Sequence, residues 1–414
     1  MATHKTSLLR RGLMGWGVRL LLAAIVGWTG YLSVMQSLAL VLSDRRIEAA
    51  YALAPNNGRV VGRLSQRLMG SEATETDLAQ AVAIARDALR HDPTAVDAVT
   101  TLSIDALRKG DQGKGERLLA YSQTLSRRDL RTQLMAIELA VARGDIAGAL
   151  HHYDIALRTR KDAPGLLYPV LVSALDDPAI RSSLVRTLAG RPNWSVHFVN
   201  HVARSDIDSA ATVAFFRALQ ASRFPVPVAA SAAMINKWLA DRRFDDAWGY
   251  YAGIRPGVDR RATRNPDFNV LLEAPTAFDW IAADGMGVST AILPDPANGF
   301  FDFTVSMGNG GLLLQQLQML PPGAYVLEGR SIGIDQPARS LPYWTVRCQA
   351  NGEIARVEVP NSSQAGGRFQ GIVHVPPHCP VQTLALVARS SNEIGGVSGK
   401  IDRVILRSPH TVAP

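Results

Sequence analysis

The groups in this 414-residue chain whose types could support chemistry are nine histidines, two cysteines and scattered carboxylates, and their spacing assembles no reactive centre. His197 and His201 stand four apart on a predicted helix, where two imidazoles can reach one metal ion. The intervening Phe198-Val199-Asn200 supplies no glutamate base and no third ligand is evident, so a plain surface pair is expected. His151 and His152 are adjacent and therefore face different directions on a helix. Gly308-Asn309-Gly310-Gly311 and Gly395-Gly396-Val397-Ser398-Gly399-Lys400 are glycine-rich but lack the Lys-Ser/Thr of a phosphate loop; a hairpin turn suits the first. No G-x-S-x-G elbow occurs. Asp176-Asp177 and Asp245-Asp246 sit at predicted helix starts, where they complement the macrodipole. Glycoside hydrolysis needs two carboxyl groups flanking a cleft, and sequence spacing does not say which of Glu328, Asp335, Glu353 and Asp402 would pair across one. The chain is read as non-enzymatic, with no catalytic residue, cofactor site or metal site.

Hydrophobic content of 47% and charged content of 19% fit a folded protein of two or three domains. The formal charge of +8 is uneven: +5 in residues 1–46, +3 in 47–254, +2 in 255–272 and −2 in 273–414. Basicity thus gathers at the N-terminus and in one short segment. A nucleic-acid protein would carry a basic stripe on a folded face, and nucleic acid is disfavoured as a partner.

Residues 20–42 contain no charged side chain. At 1.5 Å per residue this run spans about 35 Å, enough for a hydrocarbon core of about 30 Å. Lys5, Arg10, Arg11 and Arg19 precede it, while Arg45 and Arg46 follow, diluted by Asp44 and Glu48. The bias predicts a cytoplasmic 1–19, a transmembrane anchor at 20–42 and an exported remainder. A cleaved signal peptide is the rival, but its apolar region is usually shorter and ends in a small-x-small site, unlike Val41-Leu42-Ser43. Given export, Cys348 and Cys379 are expected to form a disulfide rather than two buried thiols. A loop of this length contributes about 3–4 kcal/mol in the chain-entropy view.

The middle of the chain repeats at 34 residues. Gly110-Asp111 precedes Gly144-Asp145 by that interval, and Thr76-Asp77 precedes Gly110-Asp111 by the same. Ala81, Gly115 and Ala149 keep the period, as do Ala88, Ser122 and Ala156. Ile207-Asp208-Ser209-Ala210 and Phe244-Asp245-Asp246-Ala247 look like later helix starts, and Trp194 could open a degenerate hairpin. The period, with Asp92-Pro93 through Leu102, Ala106 and Gly110-Asp111, resembles the tetratricopeptide family, against the alternative of an unrelated helical bundle. The resemblance implies a solenoid of five or six hairpins over 47–254 whose groove holds a protein partner.

Residues 255–272 lose apolar periodicity and carry Pro256-Gly257 and Asn265-Pro266, which predicts a linker. From 273 to 410 short alternating runs predict ten strands: 277–283, 286–292, 300–306, 312–320, 324–331, 342–350, 353–360, 368–375, 381–389 and 399–407. The expected fold class is therefore multidomain α + β: an anchor, an α-solenoid and an antiparallel β-sandwich. Gln315-x-Leu317-x-Met319 leading into Pro322-Gly323-x-Tyr325-x-Leu327, and the closing run Gly399 to Leu406, resemble jelly-roll carbohydrate-binding and galactose-binding-like modules. That resemblance implies a glycan site, which needs an aromatic face for the sugar C–H groups and planar polar side chains for its hydroxyls. Tyr343 and Trp280 are the candidate platforms, with Arg330, Gln315 and Asp402 as polar partners; Trp344 shares a face with Cys348 and is expected in the core. Together these features suit a single-pass scaffold of a bacterial inner membrane, its bulk periplasmic, binding protein and polysaccharide in exopolysaccharide or envelope assembly. A purely protein-binding or structural envelope protein is the alternative.

Overall fold

The computed structural model describes residues 5–70, 73–296, 299–349 and 352–409, with side chains from 16 onward. The chain divides into two compact units, Met1–Leu171 with Pro192–Trp194, and Val172–Arg191 with Ser195–Pro414.

The first unit opens with α1 (Lys5–Leu42), of which Trp16–Leu42 is long and apolar enough to cross a membrane. Residues 16–34 are exposed throughout, and Gly27 and Gly30 have no neighbour within 4 Å, so this stretch has no packing partner in the unit. Its last two turns differ. Ala39 is fully buried in a cluster with Ile47 and Ala50 of α2 (Ile47–Leu53), Ala54, and Val60 of α3 (Gly58–Arg67). The Asn57 amide donates to the Gln36 carbonyl oxygen, and Arg63 donates to Ser43 and, at 2.7 Å, to Asp44. The end of the apolar helix is thus part of the unit's core.

Helix pairs follow: α4 (Glu75–His91), α5 (Val96–Arg108), α6 (Gln112–Leu125), α7 (Leu130–Ala142), α8 (Ile146–Thr159) and α9 (Ala163–Ser173). The pair α5–α6 recurs as α7–α8 at 34 residues. Gly110 (φ +80°) and Gly144 (φ +68°) make the left-handed turn that ends each first helix. Asp111 and Asp145 then cap the second helices, accepting the N–H groups of Lys114 at 3.1 Å and Gly148 at 2.8 Å. The periodic small residues lie where helices touch: a Cβ on Gly115 would fall 2.5 Å from Leu107, while Ala88, Ser122 and Ala156 are fully buried. The marker at Thr76-Asp77 is shifted. Thr74 caps α4 through a reciprocal capping box with Asp77, which starts that helix nearly a turn before the periodic position.

The second unit continues with α10 (Pro178–Ala189), α11 (Ser195–Arg204), α12 (Ser209–Ala221), α13 (Val228–Ala240) and α14 (Phe244–Ile254). Here aromatic residues replace the small-residue pattern. Phe198, Phe215, Phe216, Trp238 and Tyr250 form a chain of edge-to-face contacts with centroids 5.3–6.2 Å apart. Bulky cores need no fixed small positions, which accounts for the fading period.

The last 130 residues of the described chain form ten strands in two antiparallel five-stranded sheets. They are β1 (Ile281–Ala282), β2 (Val288–Leu293), β3 (Phe300–Val305), β4 (Gly311–Gln318), β5 (Gly323–Ile332), β6 (Tyr343–Cys348), β7 (Gly352–Glu358), β8 (Arg368–Val375), β9 (Gln382–Ala388) and β10 (Val397–Arg407). One sheet has the order β1-β4-β9-β6-β7 and the other β2-β3-β10-β5-β8. Trp344, Val346 and Cys348 alternate into a core shared with Phe301, Phe303, Leu384 and Leu386, and Cys348 is disulfide-bonded to Cys379. The first strand is shorter than the expected 277–283. Asp279 accepts the N–H and hydroxyl of Thr276, both at 2.8 Å, and that turn occupies the start of the run.

Within 255–272, residues 260–266 are bonded to the sandwich. Thr263 N–H donates to the Leu406 carbonyl at 3.1 Å, Val404 N–H donates to Pro266 at 3.0 Å, and Phe268 is fully buried. Arg264 lies inside, 5% exposed. Its five N–H groups all donate to neutral acceptors: the carbonyls of Phe278 (twice), Ala262 and Leu317, and the Gln318 side chain. Burial pushes its guanidinium down to about 10, so it stays charged at neutral pH. The Tyr251 hydroxyl of α14 donates to Asp279 at 2.7 Å, and Trp248 packs edge-on to Phe278 at 5.3 Å, so helix and sandwich share one core here.

Candidate functional site

The outer face of the β2-β3-β10-β5-β8 sheet carries a cleft of about 850 Å³. Its floor follows from a register shift in β10: Ile401 pairs with Ser331 but Arg403 pairs with Arg330, which leaves Asp402 as the extra, bulged residue. The bulge turns the Asp402 side chain to Arg330, whose guanidinium donates through Nε at 2.6 Å and through a second nitrogen to the same carboxylate oxygen. The Asp402 carboxylate holds the Arg330 charge above its ordinary range. The other carboxylate oxygen, Oδ1, is buried without a hydrogen-bond partner among the described residues. Glu328, Arg368, Asp267 and Asn269 complete the polar wall, with Glu328 accepting from Arg407 at 2.9 Å. The arrangement presents alternating planar anions and cations, which can donate to and accept from a polyhydroxylated or zwitterionic ligand.

Of the five residues proposed for sugar contact, Arg330 and Asp402 meet in this cleft. Tyr343 and Gln315 lie on the other sheet, where Gln315 pairs with Ala385 of β9 and Tyr343 with Val387. The Tyr343 ring has the Arg356 guanidinium 4.3 Å and the Arg389 guanidinium 4.7 Å from its centroid. Each arginine is tied down in turn, Arg356 by Glu353 at 2.9 Å and Arg389 by Glu358. The hydrogen bond from Arg356 holds the Glu353 carboxyl below its usual range, against a smaller opposing effect of burial. Trp280 belongs to neither outer face. It is 4% exposed, packs between Phe268 and Trp344 at 5.6 and 5.8 Å, and donates through its indole N–H to the Asn265 carbonyl at 3.0 Å. As a sugar platform it is corrected: Trp280, just before β1, turns inward to meet Trp344 of β6 in the same sheet, and both rings are core. The five residues thus fall in three places, and the arginine pair around Tyr343 was invisible in sequence because Arg356 comes from β7 and Arg389 from just past the end of β9.

In the first unit, Arg63, Asp97 and Arg131 recur at the 34-residue interval on α3, α5 and α7 and line a shallow groove with Asp44, Asp129 and Arg160. Burial, then the Asp129 charge, pushes the Asp97 carboxyl up to about 6 despite Arg63 at 3.7 Å. Of the two histidine pairs, His152 bonds Gln133 at 2.9 Å, and its ring meets His151 edge-on. Among the described residues no group of three His, Cys, Asp or Glu is placed to hold a metal ion.

No protein-family model matches the chain, and no curated protein matches its sequence. Solved structures with partial similarity include a CBM4 protein, at 14% identity and a TM-score of 0.25, over 35% of this chain and 98% of the other. The enzymatically active domain of tailspike protein 4 from bacteriophage CBA120 matches at 16% identity and a TM-score of 0.24, over 36% of this chain and 22% of the other. The glycosylation-associated Gap123 complex from Streptococcus agalactiae matches at 10% identity and a TM-score of 0.22, over 32% and 45%.

Proposed function

We propose that the chain is a non-enzymatic, single-pass scaffold of a bacterial inner membrane, with its bulk in the periplasm. In this reading tetratricopeptide-type hairpins hold a protein partner and the sandwich contacts glycan, in the assembly or export of exopolysaccharide or another envelope polymer. The observation that carries it is the junction at the end of α1: Gln36 and Ala39 are bonded and buried within the helical unit, so cleavage of a signal peptide would strip a piece of that unit's core. The disulfide between Cys348 and Cys379 supports an oxidising compartment. The groove lined by Arg63, Asp97 and Arg131 suits a charged peptide segment, and the Arg330–Asp402 cleft suits a sugar. Glu328 and Asp402 are each ion-paired with an arginine, which supports binding over acid–base catalysis.

The deciding experiment is fractionation of the full chain with N-terminal sequencing of the mature protein. Retention of residues 1–42 in the membrane fraction is the expected result; a soluble product that begins after residue 42 sinks the anchor. Affinity purification with and without 74–160 then tests the partner surface. Glycan retention by the intact chain should weaken at least tenfold in Arg330→Ala, a change at a half-exposed side chain. A second reading, with the sandwich docking protein alone, draws on the cation-flanked Tyr343 and buried Trp280, which offer no open ring for stacking. A stable co-purifying partner together with silence on glycan arrays would select it.

A further inference from the structure

Besides the cleft, the second unit holds a cavity of about 710 Å³ between the end of α14, the segment 254–275, and the strands β1 and β2. Its walls are mostly apolar: Ile254, Val258, Leu272, Ile281 and Ile292 are among them. Such a volume, with apolar walls and a few convergent polar groups, is typical of small-molecule sites. Three charged residues line it, Arg255, Arg264 and Asp279. Two guanidiniums face one carboxylate, so the lining carries one net positive charge.

The two arginines differ in what they have left to offer. Every N–H of Arg264 is committed to a protein acceptor. Asp279 is likewise occupied, by Tyr251 on one oxygen and Thr276 on the other. Arg255 makes no salt bridge among the described residues, and its Nε is buried with no acceptor. A buried guanidinium donor without an acceptor is rare in folded proteins. At the rim, Val270 and Leu271 are 51% and 63% exposed although they line the same cavity. An occupant with an anionic head at the Arg255 guanidinium and an apolar body along Val270 and Leu271 would neutralise the charge that no carboxylate pairs and cover the exposed apolar rim.

We infer that this cavity binds an apolar monoanion, an acyl or aryl carboxylate, with its head on Arg255 and its tail beneath the segment 265–275. The site is separate from the Arg330–Asp402 cleft and does not depend on the scaffold reading. The test is calorimetric titration of the full chain, held in amphipol, with octanoate and with octanol. Octanoate should saturate at one per chain, and octanol should bind at least tenfold more weakly. Arg255→Gln should remove that preference, and Ala291→Trp, at an exposed cavity-lining position, should weaken both ligands at least tenfold with an unchanged melting temperature. In a second arm, the chain is placed in nanodiscs with or without phosphatidylglycerol; octanoate binding that competes with this lipid assigns the same head-and-tail chemistry to a membrane source, and indifference assigns it to a free acid. Absence of saturable octanoate binding, equal affinity for octanol, or binding that survives Ala291→Trp overturns the inference.

Discussion

Arg264 and Arg330 lie in the same sandwich and are handled in opposite ways. Arg264 is 5% exposed and has all five donors matched to neutral oxygens, so its charge is held by hydrogen bonds and by the nearby Asp279. Arg330 has a side chain 55% exposed and one partner, Asp402, presented by a strand bulge. The first arrangement ties a chain segment to a sheet; the second leaves a cation and a carboxylate facing an open cleft. A buried arginine with complete bonding is a structural tie, whereas a half-exposed arginine beside a cleft is available to a ligand.

That contrast can be broken by mutation. Arg264→Met leaves several buried oxygens and Asp279 without their cation, and should lower the unfolding free energy of the second unit by about 3–5 kcal/mol, read by urea denaturation. Replacing both Cys348 and Cys379 by serine should cost about 3–4 kcal/mol in the same measurement, by releasing a closed loop of 31 residues in the unfolded chain. Asp97 extends the comparison to a partly buried carboxylate of the first unit, its side chain 19% exposed. Its folded-state pKa of about 6 lies above its ordinary value of 3.8, so the folded state binds more protons between those values and stability falls as pH rises through 6. Asp97→Asn should therefore stabilise the chain at pH 8 by about 1–2 kcal/mol, with the gain vanishing near pH 4 in thermal melts. Arg330→Ala should change stability least, by about 1 kcal/mol, because the lost guanidinium is 55% exposed to solvent although the Asp402 side chain it leaves is only 11% exposed. A loss as large as that of Arg264→Met would erase the distinction between the two arginines.

Much of the architecture could be read along the chain. Ten strands were expected and ten are present, with most boundaries within two residues, because alternation of period two is a local signal written into each run. The turns at Gly110 and Gly144 were legible for the same reason, because a glycine's left-handed turn involves only its immediate neighbours; the caps that Asp111 and Asp145 make beside them emerged with the structure. Thr74 was missed because the repeat phase pointed to Asp77, while the hydroxyl three residues earlier made the better cap.

The site was less legible. Arg330 and Asp402 are 72 positions apart, and the bulge that joins them depends on how β10 lies against β5. Tyr343 was expected as an exposed aromatic from alternation, but it is half-buried, flanked by Arg356 of β7 and by Arg389 just past the end of β9.

What the amino-acid order determined by itself is the sequence of elements: an apolar N-terminal helix, helices with a 34-residue period, and short strands with two cysteines among them. Only the tertiary structure decided which charges are spent and which remain free. Arg255, Arg260, Arg261 and Arg264 stand in one basic stretch with nothing local to tell them apart, but Arg264 alone falls within reach of the buried glutamines of β4. Periodicity reports which face a residue occupies; whether its polar atoms are matched depends on groups brought from distant strands, and no local pattern encodes that.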